Sequence, residues 1–272
     1  MPEGPSIIIL KEAALQFKDR KILQAEGTTK KIDTHDLIGK RITDMRTWGK
    51  HFLICLPKFT IRIHLLMFGS YLINDRKEAK PRLRLIFSKN KEISFYACAI
   101  ERIDKPLDEI YDWSADVMNS AFDTRKANRK LKAQPGIFVC DSILDQQIFA
   151  GAGNIFKNEV LFRTRVHPLS KVGSLPDSKR REIVKEVVRY GRDFLRWKKA
   201  FVLRKHWEAH TKRICPRDGN KFVKAYVGKT QRRTFFCERC QRLYAWKINL
   251  RVSSLPDSNL PHGVYASLWL SE

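Results

Sequence analysis

The hydrophobic pattern of the chain changes near residue 115, and this change constrains the fold more than any other feature. Before it, apolar and polar residues alternate as they do in strands that bury one face. Segments of this kind occupy residues 42–56, 60–73, 81–87 and 92–99. A stretch with apolar residues at helical spacing, residues 6–17, precedes them. The first part of the chain is therefore predicted to be a β-sandwich with a helix at its start.

After residue 115 the spacing of apolar residues becomes that of helices. The predicted helices cover residues 124–133, 142–149, 154–163 and 177–197. A strand-turn-strand segment bounded by cysteines follows at residues 213–243. Together these patterns predict an α+β protein of two domains, an N-terminal β-sandwich and a C-terminal helical domain that ends in a β-hairpin.

The charge of the chain limits the partners it can have. Lysine and arginine number 53 against 29 acidic residues, a formal net charge of +24, while 43% of the residues are hydrophobic. A folded protein with this balance binds polyanions; nucleic acid is the first candidate, and a membrane surface stays open. No run of about 18 apolar residues occurs and the N-terminus lacks a secretory pattern, so we expect an intracellular protein without a membrane partner.

The six cysteines fall into two groups. Three are isolated in apolar or strand-like settings and are expected to fill the core: Cys55, Cys98 and Cys140. Near the C-terminus, Cys215 precedes the pair Cys237 and Cys240, which has the Cys-x-x-Cys spacing of zinc sites. This usage favours a reducing compartment over a disulfide framework.

Pro2 follows the initiator methionine, which is common and carries little information by itself. Removal of Met1 would expose a secondary amine with a pKa of roughly 8, part of which is unprotonated near neutral pH. Such an amine can attack an electrophilic sugar carbon and form an iminium ion, which eases a later elimination. Glu3 beside it is a candidate general acid or base for the proton transfers.

Four segments along the chain match one enzyme family. They are Met-Pro-Glu-Gly-Pro at residues 1–5, Trp-Gly-Lys-His-Phe-Leu at 48–53, His-Leu-Leu-Met-Phe-Gly at 64–69, and a stretch at 144–168 that contains Gly-Ala-Gly-Asn-Ile. In these segments the chain resembles the formamidopyrimidine-DNA glycosylase / endonuclease VIII family. The resemblance extends from residue 2 to about residue 241.

The resemblance implies roles for residues of the first domain. Pro2 would be the nucleophile and Glu3 the acid or base. Lys50 would contact the DNA phosphate near the reaction centre. Three apolar side chains would enter the duplex and fill the space of the flipped nucleotide: Leu66, Met67 and Phe68. Their insertion would partly offset the stacking energy that is lost when the base flips.

The resemblance also implies roles in the second domain, which would contain the family's helix-two-turn-helix element. Asn154 is predicted to cap the helix that follows it and to contact a phosphate at the helix N-terminus. Arg232, five residues before Cys237, would hold a phosphate with its two-pronged side chain, and Arg233 is a close competitor.

A zinc site is implied in the C-terminal hairpin. Relatives of the zinc type have four cysteines, whereas this chain has Asp218 at the position of the second one. Asp can bind Zn²⁺, so Cys215, Cys237 and Cys240 would be joined by Asp218, or by His210 if the chain folds back. A hairpin without zinc is the remaining alternative.

The predicted organisation follows from the patterns and the resemblance together. A catalytic β-sandwich covers residues 1–115 and a linker covers 116–121. A helix-two-turn-helix domain covers 122–210, a zinc-finger-like hairpin covers 211–243, and an extension of unassigned role covers 244–272.

The predicted function is a bifunctional DNA glycosylase and AP lyase that removes oxidised bases, cleaving DNA by β,δ-elimination through a Schiff base on Pro2. Oxidised pyrimidines are favoured, because residues 197–214 contain no glycine for the flexible cap of the purine-specific branch, and because Gly4 matches the endonuclease VIII start. The alternatives are an oxidised-purine glycosylase, a non-catalytic DNA-binding relative and an RNA-binding protein. Ser6 departs from the Glu of many relatives.

The expected partner is damaged double-stranded DNA, bound by a monomer without an organic cofactor. The expected location is the cytoplasm or nucleoid in a bacterium and the nucleus in a eukaryote.

Overall fold

The computed structural model describes residues 2–245. The strands of the first part are β1 (Gln24–Glu26), β2 (Asp44–Trp48), β3 (His51–Cys55), β4 (Thr60–His64), β5 (Ser70–Ile73), β6 (Leu83–Phe87), β7 (Lys91–Tyr96) and β8 (Ala99–Ile103). The α-helices are α1 (Gly4–Ala14), α2 (Leu107–Ile110), α3 (Thr124–Lys132), α4 (Val139–Leu144), α5 (Asn154–Arg163) and α6 (Asp177–Lys199). The C-terminal hairpin consists of β9 (Val223–Val227) and β10 (Arg232–Phe236).

The first part is a sandwich of two antiparallel four-stranded sheets. Their strand orders are β1-β6-β7-β5 and β2-β3-β4-β8. Strand β3 has buried residues on both faces: Phe52 and Ile54 join the main core of the sandwich, whereas Leu53 packs with Trp48 and Tyr111 on the other side. This explains why β3 is a continuous apolar run instead of an alternating one.

The second part is helical and has its own core, in which α5 and α6 pack against each other. Phe156 of α5 lies against Tyr190 and Phe194 of α6, with ring centroids 5.2 and 5.7 Å apart. Helix α1 packs on both α6 and the strand pair β2–β3, so it joins the two parts. The predicted α+β fold, a β-sandwich followed by a helical domain, is confirmed.

Residues 42–56 were expected to be strand, and the structure divides them into a hairpin. The turn at Gly49 and Lys50 separates β2 from β3, and Gly49 has a φ of 54°, in the left-handed region that glycine tolerates. The segment after residue 91 also divides, because Ala97 turns the chain with a φ of 48° between β7 and β8.

The helix predicted for residues 142–149 is wrong in position. Helix α4 spans Val139–Leu144, and Asp145 ends it by accepting a hydrogen bond from the backbone N–H of Gln147 at 2.8 Å. A short acidic side chain that bonds to the backbone two residues on favours a turn over a helix. The other long helices begin at the predicted residues, Thr124, Asn154 and Asp177.

Among residues 2–245, no helix combines the length and the apolar character needed to cross a bilayer. The predicted domain boundaries at residues 115, 121, 210 and 243 stay predictions. Of the predicted extension at 244–272, residues 246–272 lie outside the described part of the chain.

Candidate active site

Glu3 connects the N-terminal segment to helix α5. Its side chain is fully buried, and its carboxylate accepts hydrogen bonds from the backbone N–H groups of Ile155 (2.9 Å) and Phe156 (3.4 Å). A carboxylate here satisfies N–H groups that lack partners within the helix and interacts favourably with the helix dipole. Burial raises the pKa of Glu3, although the charge of Lys50 and the two hydrogen bonds oppose the shift.

The prediction that Asn154 caps helix α5 is wrong. Gly153 occupies the N-cap position, and Glu3 supplies the side-chain acceptor from a distant part of the sequence. A side chain at position 153 would collide with the Glu3 carboxyl group, because a Cβ built there lies 2.5 Å from Cδ of Glu3. Asn154 is instead free to face strand β10, where its Nδ2 donates to the carbonyl oxygen of Arg233 at 2.9 Å.

Three glycines form the contact between the sandwich and the helical part, and we call this contact the glycine junction: Gly4, Gly49 and Gly151. The N–H of Gly4 donates to the carbonyl oxygen of Gly151 at 2.9 Å. A Cβ on Gly49 would lie 2.9 Å from the nitrogen of Gly151, and a Cβ on Gly4 would lie 3.1 Å from its Cα. The backbones of the N-terminal helix, the β2–β3 turn and the turn before α5 are therefore in direct contact.

Lys50 lies beside this junction in the β2–β3 turn and is half-buried. Asp116, which is buried, accepts a hydrogen bond from the N–H of Gly49 at 3.1 Å and another from Met118 at 3.0 Å, so it fixes the turn. Burial lowers the pKa of the Lys50 ammonium; the nearby Glu3 carboxylate opposes this shift, and the Arg232 guanidinium adds to it. Lys50 therefore interacts electrostatically with both Glu3 and Arg232.

A groove with a volume of about 700 Å³ brings together five of the nine predicted catalytic and DNA-binding residues. Its walls include Lys50, Leu66, Met67, Asn154 and Arg232. Two cations and an amide thus line one surface, although they come from the sandwich, from α5 and from the hairpin. Such a surface suits an anion such as a phosphate diester.

Pro2 lines a neighbouring groove of about 420 Å³ together with Ser6, Met67 and Phe68. Met67 is common to both grooves, so the two spaces adjoin at this side chain. Pro2 is half-buried, and its position next to Glu3 in the chain puts it at the edge of the glycine junction.

The loop of residues 65–69 presents apolar side chains to solvent. Leu66, Met67 and Phe68 are exposed to 46, 47 and 86%. Leu66 has a φ of 52°, which is uncommon for a residue other than glycine. Gly69 closes the loop through a hydrogen bond from its N–H to the carbonyl of Leu65 at 2.8 Å, and a Cβ at position 69 would overlap that oxygen.

The two candidate arginines of β10 lie on opposite sides of the hairpin. Arg232 lines the groove with Lys50, whereas Arg233 lines a separate groove with Lys224 and Phe235. Neighbouring residues of a strand point to opposite faces, so only one of the pair can reach a phosphate in the Lys50 groove.

Several residues of the groove were not anticipated from the sequence. His51 and His64 are paired across β3 and β4, and both line it. Burial lowers the pKa of His51 to about 3, helped by the charge of Arg62, so this ring is neutral at physiological pH. A strand histidine has no distinguishing pattern in a sequence. The role of Asp116 in holding the Lys50 turn was not anticipated either.

The C-terminal cysteines form a compact cluster with Asp218. One ligand atom from each of Cys215, Asp218, Cys237 and Cys240 lies within 4.8 Å of the others. Sγ atoms of Cys215 and Cys240 are 3.8 Å apart, which matches the spacing of about 3.8 Å between two sulfurs on a tetrahedral zinc with bonds of about 2.3 Å. Three thiols and one carboxylate in this arrangement could hold a metal ion.

His210, the other candidate for the fourth ligand, lies outside this cluster. Its Nδ1 is 3.0 Å from Nδ2 of Asn158, and its ring packs edge-on against Trp207 and Phe235. The alternative ligand set with His210 is therefore wrong.

Comparisons with known proteins support the resemblance found in the sequence. The sequence profile of the formamidopyrimidine-DNA glycosylase N-terminal domain matches residues 1–98, and that of the formamidopyrimidine-DNA glycosylase H2TH domain matches residues 114–199. Together they cover most of both structural units and the groove between them, apart from the hairpin.

Similar curated proteins include Endonuclease 8-like 2 of Mus musculus, which is 34% identical over 217 residues, 74% of this chain. Endonuclease 8-like 3 of Xenopus laevis is 30% identical over 244 residues, 84% of this chain. The chain spans 61% of the first protein's length and 38% of the second's.

Solved structures share the fold at low sequence identity. A viral DNA glycosylase superposes with a TM-score of 0.77 at 22% identity, covering 88% of this chain and all of that one. A Lactococcus lactis formamidopyrimidine-DNA glycosylase bound to DNA with an AP site gives 0.78 at 21% identity, covering 88% of this chain and 99% of that one. The two family profiles, which match most of the chain in the expected order, show that the chain belongs to the formamidopyrimidine-DNA glycosylase / endonuclease VIII family.

Proposed function

We propose that this protein is a DNA repair enzyme, a bifunctional glycosylase and AP lyase that acts on damaged double-stranded DNA. One observation carries the proposal: Lys50, Asn154 and Arg232 line a single groove that adjoins the groove of Pro2, with the exposed apolar loop 65–69 between them. The arrangement provides phosphate binding, a wedge for the duplex and a nucleophile within one surface.

Chemistry begins at the nitrogen of Pro2, once Met1 is removed and the nitrogen is an amine. Its lone pair forms a bond to C1′ of the damaged nucleotide, the bond from C1′ to the base breaks, and the base leaves with a proton. The sugar ring then opens as the C1′–O4′ bond breaks, O4′ gains a proton, and C1′ becomes an iminium carbon on Pro2.

The iminium ion makes the following eliminations possible by accepting electrons. Loss of a proton from C2′ expels the 3′ phosphate, and a second elimination expels the 5′ phosphate. Hydrolysis of the imine returns the Pro2 amine. Burial raises the pKa of Glu3, which is the direction that a carboxyl group needs in order to act as a general acid.

Lys50 and Arg232 bind the phosphate next to the flipped nucleotide in this scheme. A guanidinium and an ammonium on one groove neutralise a diester and orient it, and the second N–H of Asn154 Nδ2 is available for the same phosphate. Leu66, Met67 and Phe68 enter the duplex and replace part of the stacking that is lost when the base flips. The resulting nick would have phosphate groups at both ends.

Oxidised pyrimidines are the proposed lesions. The support is the connection after α6, which contains a short 3-10 helix at Leu203–His206 and no glycine, whereas a flexible cap that folds over a purine would need glycine. A duplex with thymine glycol should therefore be cleaved about ten times faster than one with oxidised guanine. The reverse order would assign the protein to the oxidised-purine alternative.

A structural zinc ion is proposed for the cluster of Cys215, Asp218, Cys237 and Cys240. Its role would be to fix the base of the β9–β10 hairpin, which bears Arg232. Metal analysis of the purified protein should find about one zinc per chain. Asp218→Cys should bind zinc more tightly than Asp218→Asn, and equal zinc content in Cys237→Ser and the wild type would exclude this ligand set.

Borohydride trapping tests the central chemistry, because it reduces the imine and leaves protein covalently bound to DNA. Protein shown by mass spectrometry to lack Met1 should be trapped on an abasic-site duplex. A matched protein with an uncleaved residue before Pro2 should bind the same duplex but give no adduct, since its Pro2 nitrogen is an amide. Equal trapping of both proteins would refute Pro2 as the nucleophile.

The second candidate function is damaged-DNA binding without catalysis, which the departures at Ser6 and Asp218 favour. That function predicts salt-dependent binding of abasic DNA with neither an adduct nor strand cleavage by the protein that lacks Met1. The same pair of measurements, trapping and binding, separates the two functions.

A further inference from the structure

Strand β10 is held on helix α5 by three side chains from the first two turns of the helix. Asn154 donates to the carbonyl of Arg233, and Oδ1 of Asn158 accepts from the N–H of Phe235 at 3.0 Å. Between them, Nζ of Lys157 donates to Oγ1 of Thr234 at 2.6 Å. We call these contacts the α5–β10 contact.

Lys157 is the unusual member of this contact. Its side chain is fully buried, and the described residues place no carboxylate oxygen within 4.0 Å of Nζ. Its other acceptors are the carbonyl oxygens of Arg232 and Arg233, each at 3.4 Å. Asp141 and Glu3 stabilise its charge only from a greater distance. Burying an ammonium with no carboxylate in contact costs free energy that an apolar residue of the same length would avoid.

The hydrogen bonds of Lys157 lead directly to the backbone of Arg232. The hydroxyl of Thr234, which accepts from Nζ, donates to the carbonyl of Arg232 at 2.9 Å. Lys157 itself also contacts that carbonyl. One buried ammonium therefore fixes the main chain at the point where the Arg232 side chain enters the groove.

The N-terminal end of the same helix holds Glu3, the neighbour of the proposed nucleophile Pro2. Glu3 caps the start of α5 through Ile155, within one turn of Lys157. Helix α5 thus holds both the Pro2–Glu3 segment and the Arg232 segment. Their separation in the site depends on how each is attached to this helix.

We propose that Lys157 is a positioning residue, which sets the position of Arg232 relative to Pro2 through Thr234 and the Arg232 carbonyl. It touches neither DNA nor the reacting atoms, because it is buried. The proposal rests on the phosphate role proposed for Arg232. Lys157 is expected to affect the reaction rate and DNA binding only through the position of Arg232.

A double-mutant cycle tests this dependence. Lys157→Met keeps the length of the side chain and removes its donors, and it should slow borohydride trapping on an abasic-site duplex about tenfold or more. In an Arg232→Ala background the same change should cost less than about twofold, because the group that it positions is already absent. Equal fold-losses in both backgrounds would overturn the proposal.

DNA binding gives a second measurement that does not require catalysis. If Lys157 places Arg232 on a phosphate, the slope of log Kd against log salt should fall by about 1 in Lys157→Met, as in Arg232→Ala. An unchanged slope contradicts the proposal. If the wild type binds DNA but is never trapped, the proposed enzyme fails, while this slope still decides the role of Lys157.

Two further sets of variants separate positioning from folding. Val160→Ala removes a buried side chain from the same helix; it should lower stability and leave the trapping rate of the folded protein unchanged in both backgrounds. Thr234→Val should behave like Lys157→Met, and Thr234→Ser should behave like the wild type because it keeps the hydroxyl. If Thr234→Val traps at the wild-type rate, the connection through Thr234 is wrong.

Discussion

The glycine junction and the loop of residues 65–69 lie beside the same pair of grooves and are built in opposite ways. At the junction, Gly4, Gly49 and Gly151 bring three backbones into contact, and added side chains would collide. In the loop, three apolar side chains extend into solvent. The junction should therefore be needed for the fold and for placing the chemistry, whereas the loop should be needed only when DNA is bound.

Glu3, which extends from the junction to α5, gives the largest expected effect. Glu3→Gln keeps one acceptor for the helix but cannot transfer a proton, so we expect the rate of base excision to fall about 10²–10⁴-fold. The free energy of unfolding should change by about 0.5–2 kcal/mol, the usual range for an altered cap. Single-turnover kinetics and urea unfolding measure the two effects. Full activity of this variant would limit Glu3 to its structural role.

Gly49 tests the junction directly. Gly49→Ala places a methyl group 2.9 Å from the Gly151 nitrogen at a φ of 54°, so we expect a loss of about 2–4 kcal/mol in the free energy of unfolding. Gly136→Ala is the control, because a Cβ at position 136 meets nothing within 4 Å. Urea titrations compare the two variants. Equal unfolding midpoints of the two variants would show that the backbones at the glycine junction can move apart without loss of stability, which would contradict the prediction.

Asp116 makes the junction sensitive to pH. Burial raises its pKa to about 6, against an ordinary value of 3.8, so folding favours the protonated carboxyl group. The stabilisation is complete below pH 4 and is lost as the pH rises through 6, a change of about 3 kcal/mol for a shift of this size. Asp116→Asn should remove this part of the pH dependence. Urea unfolding of the wild type and the variant between pH 4 and 7 measures this difference. If the free energy of unfolding changes with pH in the same way in both proteins, Asp116 is not the titrating group.

Phe68 gives the smallest effect expected, and only on duplex DNA. Because the side chain is 86% exposed, Phe68→Ala should leave the free energy of unfolding within about 0.5 kcal/mol of the wild type. Excision from a duplex should slow about tenfold, since the wedge no longer offsets lost stacking. Excision from single-stranded DNA, where the base is already unstacked, should not change. A similar loss on both substrates would place Phe68 in the chemistry instead.

The sequence predicted those parts of the molecule whose information is local. Helix α5 was predicted at the observed residues, and the periodicities before and after residue 115 correspond to the sandwich and the helices. The turn at Gly49 was missed because the residues on both sides of it have strand character, so residues 42–56 look like one continuous strand. The α4 boundary was missed because the turn at Asp145 depends on a side-chain hydrogen bond.

The contacts within the site join pairs of residues that are distant in the chain. A single sequence contains no pattern from which such pairs can be predicted. Glu3 was predicted as an acid or base, but its capping of α5 was not. Asn154 was expected to be that cap because its residue type suits the role, yet a better acceptor arrives from elsewhere. Asp218 was one of two candidate ligands, and only the folded hairpin separates it from His210.

The bond from Ile155 to Glu3 joins residues that are 152 positions apart, and this has a consequence for protein synthesis. Chain termini are usually the most tolerant part of a protein. Here, the segment around Glu3 cannot complete its contacts until helix α5 has been synthesised. Because this segment is buried against α5 and the Gly151 turn, an affinity tag belongs at the other end of the chain.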